Sequence, residues 1–233
     1  MLGPMPPRLS TRTLRAAARD LASRDPRLGA SVARHGPPPL WAREPGFATL
    51  VHLILEQQVS LASAQAAFDR LADALGGAVA PTGLLRLSDD QLRVIGFSRQ
   101  KAGYARGLAT AILDGLDLGV LGALDDVEVR AALTSLKGVG RWTADVYLTM
   151  CLLRPDAWPH GDLALATSAQ AVLGLAERPS YDDLEDRADA WRPFRAVAAR
   201  ILWHDYLRAR GLPGVTGGRA ASAGVTLDVR VEA

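Results

Sequence analysis

Between Leu136 and Leu165 the chain reads LKGVGRWTADVYLTMCLLRPDAWPHGDLAL, and two groups of residues in it are suited to chemistry. The first is Leu136-Lys137-Gly138-Val139-Gly140, a glycine hairpin between two helical segments. Glycine admits positive φ and lets a backbone approach a ligand closely. Arg141, Trp142, Thr143 and Ala144 then open a helix whose unpaired N–H groups and positive dipole end favour an anion. The second is Asp162, a single aspartate beyond the apolar helix. Together they read as a phosphate grip followed by a catalytic carboxylate.

Asp162 also has a structural reading, because Gly161-Asp162 precedes the apolar run LALATSAQAVLGL and aspartate is a preferred N-cap. One side chain can serve both ends. The whole segment resembles the helix-hairpin-helix DNA glycosylases, in particular the AlkA-type 3-methyladenine glycosylases. Their pattern runs L-x-G-[VI]-G-x-W-T-A, an apolar helix, then Pro-x-x-Asp-Leu-x-Leu. Leu136, Gly138, Val139, Gly140, Trp142, Thr143 and Ala144 match it, followed by Pro159, Asp162, Leu163 and Leu165. A hairpin alone also occurs in non-catalytic DNA-binding proteins; a hairpin with the aspartate in place is far more specific.

The resemblance implies excision of alkylated bases such as 3-methyladenine and 7-methylguanine from double-stranded DNA. Breaking an N-glycosidic bond builds positive charge on the sugar, and Asp162 is implied to stabilise that charge and to orient or activate water. Gly138, Val139, Gly140, Arg141 and Thr143 are implied to hold the phosphate backbone, with a monovalent cation at the hairpin on resemblance alone. Relatives that also cut the backbone carry a Schiff-base lysine where this chain has Trp142. Lys101 and Lys137, the only lysines, fall elsewhere, so a monofunctional enzyme leaving an abasic site is expected.

Aromatic residues stack on electron-poor extruded bases. Trp142 fits that use, and Trp203 and Tyr147 are further candidates for the base pocket, although core packing is the ordinary reading of each. Glu56-Gln57-Gln58-Val59-Ser60 resembles a pocket-bordering segment; its two adjacent amides, Gln57 and Gln58, either meet the DNA or cap a neighbouring helix. Gly96-Phe97-Ser98-Arg99 resembles the turn that fills the gap left by the flipped base. Relatives place an apolar residue at the Arg99 position, so Phe97 as wedge, Arg99 as a stacking and phosphate-binding group, and Arg99 as plain surface charge all stand. His160, two residues before Asp162, either contacts DNA, tunes the carboxylate or is solvated.

The elements that position these residues read as helices. Thr11 to Ser23 predicts one; the apolar spacing from Thr49 to Gly77 predicts two, with Ser60 capping the second. Ser88 with Gln91 and Asp125 with Glu128 form capping boxes, Ser98 and Ser180 cap further helices, and Gly96, Gly115, Gly174 and Gly211 are stops. The expected fold is all-α, two helical lobes flanking a cleft. Residues 1–48 form a partly helical arm and residues 49–211 the core. Within the core a hairpin lobe spans about 49–162, and residues 1–48 and 163–211 complete the other lobe. Residues 212–233, small and polar, read as a flexible tail.

Composition narrows the rest. At 233 residues and 48% hydrophobic content the chain can bury a large core, and its formal charge of +2 does not by itself announce a nucleic-acid binder. Cys151 is the only cysteine, which excludes an internal disulfide and a cluster held by several thiolates of this chain. The histidines lack zinc-ligand spacing, so neither a catalytic metal nor a redox cofactor is expected. With no apolar run of signal or membrane length, a cytoplasmic monomer acting on DNA is expected. Two alternatives remain: a non-catalytic helix-hairpin-helix DNA-binding protein, and a glycosylase-lyase for oxidised bases.

Overall fold

Short polar caps decide where most helices of this chain begin. The computed structural model describes residues 6–211 and the pair 228–229. Ser10 starts α1 (Thr11–Arg24), and Asp25 both ends it and caps α2 (Pro26–His35) through the Arg27 amide. After α3 (Phe47–Glu56) comes β1 (Val59–Ser60), and Ser60 caps α4 (Leu61–Ala74). Then follow α5 (Pro81–Arg86), α6 (Asp89–Ile95), α7 (Arg99–Leu113), α8 (Asp126–Thr134) and α9 (Arg141–Met150). The described helices end with α10 (Leu163–Val172), α11 (Tyr181–Ala188) and α12 (Arg195–Ala209).

Both capping boxes form as expected, at Ser88 with Gln91 and at Asp125 with Glu128, and Gly96 ends α6 in the left-handed region at φ 116°. Two helices, α2 and α5, were not expected from the sequence. Each opens with proline at its first position, where a missing N–H costs nothing and the fixed φ suits a helix. The fold is all-α but for β1, which pairs antiparallel with β2 (Asp228–Val229), Val59 facing Val229. The expected flexible tail otherwise lies outside the described residues.

Helices α3 to α9 pack mainly among themselves, α3 against α4, α7 and α9, and α8 against α9. A second group forms from α1, α2, α10 and α12, with α11 against α10. Arg200 of α12 joins the two. Fully buried, its guanidinium donates to the carbonyls of Thr149 in α9, Leu40 in the N-terminal arm and Ala196. Burial pushes its pKa down, and the three acceptors hold the charge. No described helix is long and apolar enough to cross a membrane.

Candidate active site

Asp162 sits at the N-cap of α10, where Oδ1 accepts the Leu165 amide at 2.9 Å. Two further donors are tryptophans distant in sequence. Trp142 Nε1 donates to Oδ2 at 3.0 Å, and Trp203 Nε1 donates to Oδ1 at 3.3 Å. The residue is only 2% exposed. Burial raises its pKa above the ordinary carboxylate range, while the indole and amide donors pull the other way. The result is a carboxylate oriented by two indole N–H groups and by the Ala164 and Leu165 amides of its own helix. Such a group, in its ionised form, stabilises positive charge developing beside it and accepts a proton from water.

The hairpin shows two different uses of glycine. Gly138 has φ 89°, and a Cβ there would stand 2.1 Å from Tyr104 Cγ, so the chain itself demands glycine. Gly140 lies at φ −85°, a conformation open to any residue, and a Cβ there would meet nothing within 4 Å. Its openness is of use only to something outside the chain. No side chain caps α9, so its first-turn amides face that same opening.

A cleft of about 520 Å³ runs beside the hairpin, lined among others by Gln57, Gln58, Lys101, Tyr104 and Trp142. Gln58 is exposed and held at φ 57°, a strained conformation for a residue with a side chain. Gln57, the other amide of the pair, takes the structural of the two expected roles. Its amide donates to the Gly138 carbonyl at 2.9 Å and to Thr143 Oγ1 at 3.1 Å, bracing the hairpin from α3's end. Lys101 donates to the Leu55 carbonyl at 2.7 Å, and burial lowers its pKa.

Several expected roles change. Tyr147 is fully buried in the core of α9 and does not line the described cleft. Phe97 is buried beneath the α6–α7 turn and cannot enter a duplex, whereas Arg99, at the first position of α7, is exposed. Thr143 and Val139 turn their side chains inward, which leaves only their backbone to a phosphate. Arg141 is ion-paired with Glu185 and, at 3.6 Å, with Asp145. Trp203 is buried, yet its N–H reaches the carboxylate, so core packing and site architecture coincide.

At the hairpin the Gly138 carbonyl accepts Gln57 and the Leu136 carbonyl accepts the Val139 amide at 3.0 Å, and each oxygen keeps a second lone pair for a monovalent cation. Among the described residues no cluster of three or more His, Cys, Asp or Glu is arranged to hold a metal ion. Trp41 is a further residue that sequence reasoning missed. It is half-buried at φ 47°, with its ring edge-on to Trp203 at 6.4 Å.

The chain is 28% identical to DNA-3-methyladenine glycosylase 1 of Schizosaccharomyces pombe over 165 residues, 69% of this chain and 72% of that protein. It spans a smaller share, 64% and 56%, of two related Bacillus subtilis proteins. The crystal structure of a DNA-3-methyladenine glycosidase from Bacillus halodurans superimposes with a TM-score of 0.69 at 31% identity, covering 84% of this chain and 92% of that one. The S. pombe 3-methyladenine DNA glycosylase in complex with abasic DNA shares the fold, with a TM-score of 0.70 at 23% identity over 88% of this chain and 99% of that one. Residues 51–193 match the family model described as HhH-GPD superfamily base excision DNA repair protein, and this chain belongs to that superfamily.

Proposed function

We propose that the chain is a monofunctional DNA glycosylase that flips alkylated bases such as 3-methyladenine and 7-methylguanine out of double-stranded DNA and excises them by hydrolysis, leaving an abasic site. The observation that carries this reading is the Asp162 carboxylate, buried yet oriented by the indole of a helix that begins at an open glycine hairpin. The first-turn amides of α9 take a DNA phosphate at Gly140. That contact places the extruded nucleotide against Trp142, whose ring lines the cleft and whose N–H is on Asp162.

As the N-glycosidic bond stretches, positive charge gathers on the sugar, and the ionised carboxylate lowers its energy in a site largely closed to water. Asp162 then takes the proton of the water that adds to the sugar carbon, and the free base departs. Trp142 offers no amine for a Schiff base, so the backbone stays intact. A cationic alkylated base gains from the face of an indole, which favours such lesions over ordinary purines. The protein acts as a monomer.

The test is release of free bases from methylated duplex DNA, identified by mass spectrometry, by wild type and Asp162→Asn. The expected outcome is release of alkylated purines by wild type, and DNA binding without release by the variant. A wild type that releases no base from any methylated duplex would overturn the reading in favour of a DNA-binding module.

A further inference from the structure

The hairpin-and-aspartate motif leaves out α11, yet α11 reaches both of its halves. One oxygen of Glu185 pairs with the guanidinium of Arg141, and the other, Oε2, lies 2.9 Å from His160 Nδ1. Arg141 is the first residue of α9, directly after Gly140. His160 stands two residues before Asp162, separated from it by Gly161 at φ 81°. A single carboxylate thus spans the helix that begins at the hairpin and the turn that delivers the aspartate.

Other groups of α11 close on the same histidine. Asp182 Oδ1 is 3.7 Å from His160 Nε2, and the Tyr181 ring stands edge-on to the imidazole at 6.2 Å. Glu185 is 25% exposed and His160 22%, so the His160 half of the link is sheltered, while Arg141 is 46% exposed. Besides Asp145, which takes a backbone hydrogen bond from His160, two consecutive residues of α9 hold the Asp162 segment. Trp142 does so directly by its indole N–H, and Arg141 does so through Glu185 and His160.

We propose that Glu185 is a positioning residue for base release: it holds the His160–Gly161 turn, and with it the Asp162 carboxylate, in register with the hairpin helix. The inference rests on the reading of Asp162 as the catalytic carboxylate. Glycine at position 161 leaves the turn without stiffness of its own, and a misplacement of about 1 Å at a reacting group costs on the order of 100-fold in rate. Glu185 also competes with any phosphate for Arg141. Its removal therefore slows chemistry without weakening the hold on DNA, a split that loss of a DNA contact would not produce.

The experiment measures single-turnover base release by the full chain from a duplex carrying one alkylated purine, over a range of protein concentrations. Glu185→Ala is expected to lower the saturated rate about tenfold or more while the half-saturating concentration stays level or falls. Glu185→Gln, whose amide still reaches both partners, is expected to recover most of that rate. His160→Ala breaks the link from the other side, and the double variant is expected to be no slower than the worse single one, because both changes remove one connection. Should Glu185→Ala fail to fold, His160→Ala carries the same readout.

An unchanged saturated rate, a raised half-saturating concentration alone, or independent losses that multiply in the double variant would overturn the inference. An inactive wild type, or an Asp162→Asn as active as wild type, would instead overturn the underlying assignment of Asp162. An active wild type, an inactive Asp162→Asn and an unaffected Glu185→Ala would reject the positioning role alone.

Discussion

Trp142 Nε1 stands 3.0 Å from Asp162 Oδ2, so the second residue of the hairpin helix touches the carboxylate at the start of α10. The hairpin helix and the buried carboxylate are therefore tied directly, although 20 positions separate the two residues in the chain. Whatever docks at Gly140 is indexed to Asp162 through a single helical turn.

Trp142→Phe keeps a ring in the cleft and removes the donor. Because an N–H to an ionised carboxylate favours the ionised form, its loss raises the Asp162 pKa further above the ordinary range. The acid limb of the pH–rate profile for base release should move to higher pH, and the rate at neutral pH should fall by about tenfold, the worth of one charge-assisted hydrogen bond. An unmoved limb would detach Trp142 from the carboxylate's chemistry.

The same carboxylate predicts a sign for stability. Its folded pKa lies above its unfolded one, so the contribution of the protonated form is complete at low pH and is lost as pH rises through the folded value. Asp162→Asn does not titrate. Its melting temperature relative to wild type should therefore be more favourable at pH 7 than at pH 4, which calorimetry or circular dichroism at the two pH values checks.

Gly138→Ala and Gly140→Ala should fail for different reasons. At Gly138 the added methyl meets the Tyr104 ring in a backbone conformation with φ 89°, so stability should drop by about 1–3 kcal/mol. At Gly140 nothing in the chain is in the way, so stability should change by about 0.5 kcal/mol or less. Duplex binding should nonetheless weaken clearly in Gly140→Ala, measured by fluorescence anisotropy. Equal affinities for wild type and Gly140→Ala would mean that no phosphate approaches there.

Borohydride trapping with an abasic duplex should give no covalent protein–DNA adduct. On the resemblance Trp142 stands where a lyase lysine would be expected, and Lys101, which lines the cleft, donates to the Leu55 carbonyl. A strong trapped band that disappears in Lys101→Gln would show that this amine reaches the sugar.

Tyr147→Phe should leave base release within about twofold of wild type, a change too small to carry meaningful transition-state energy. The ring is buried in the core and away from the cleft, so its hydroxyl has no route to a flipped base. A specific loss of rate on alkylated substrates would return Tyr147 to the pocket.

Much of this was legible in the chain as written. Caps at Ser60, Ser88, Ser98, Asp125 and Ser180 are local hydrogen bonds between a side chain and amides two or three residues on, so the sequence alone determines them. Gly138 and Asp162 were legible for the same reason, the one needed by a left-handed turn, the other opening a helix. Which aromatic faces the cleft was not legible. From Trp142 to Met150 every residue of α9 is buried, as is every residue from Ala196 to Leu207 in α12, so no polar face marks a side of either helix. Tertiary packing alone turns Trp142 and Trp203 onto Asp162 and Tyr147 into the core. It likewise brings Glu185 to Arg141 and His160, because contacts between residues 25 to 44 positions apart depend on how whole helices dock and on no spacing within any of them.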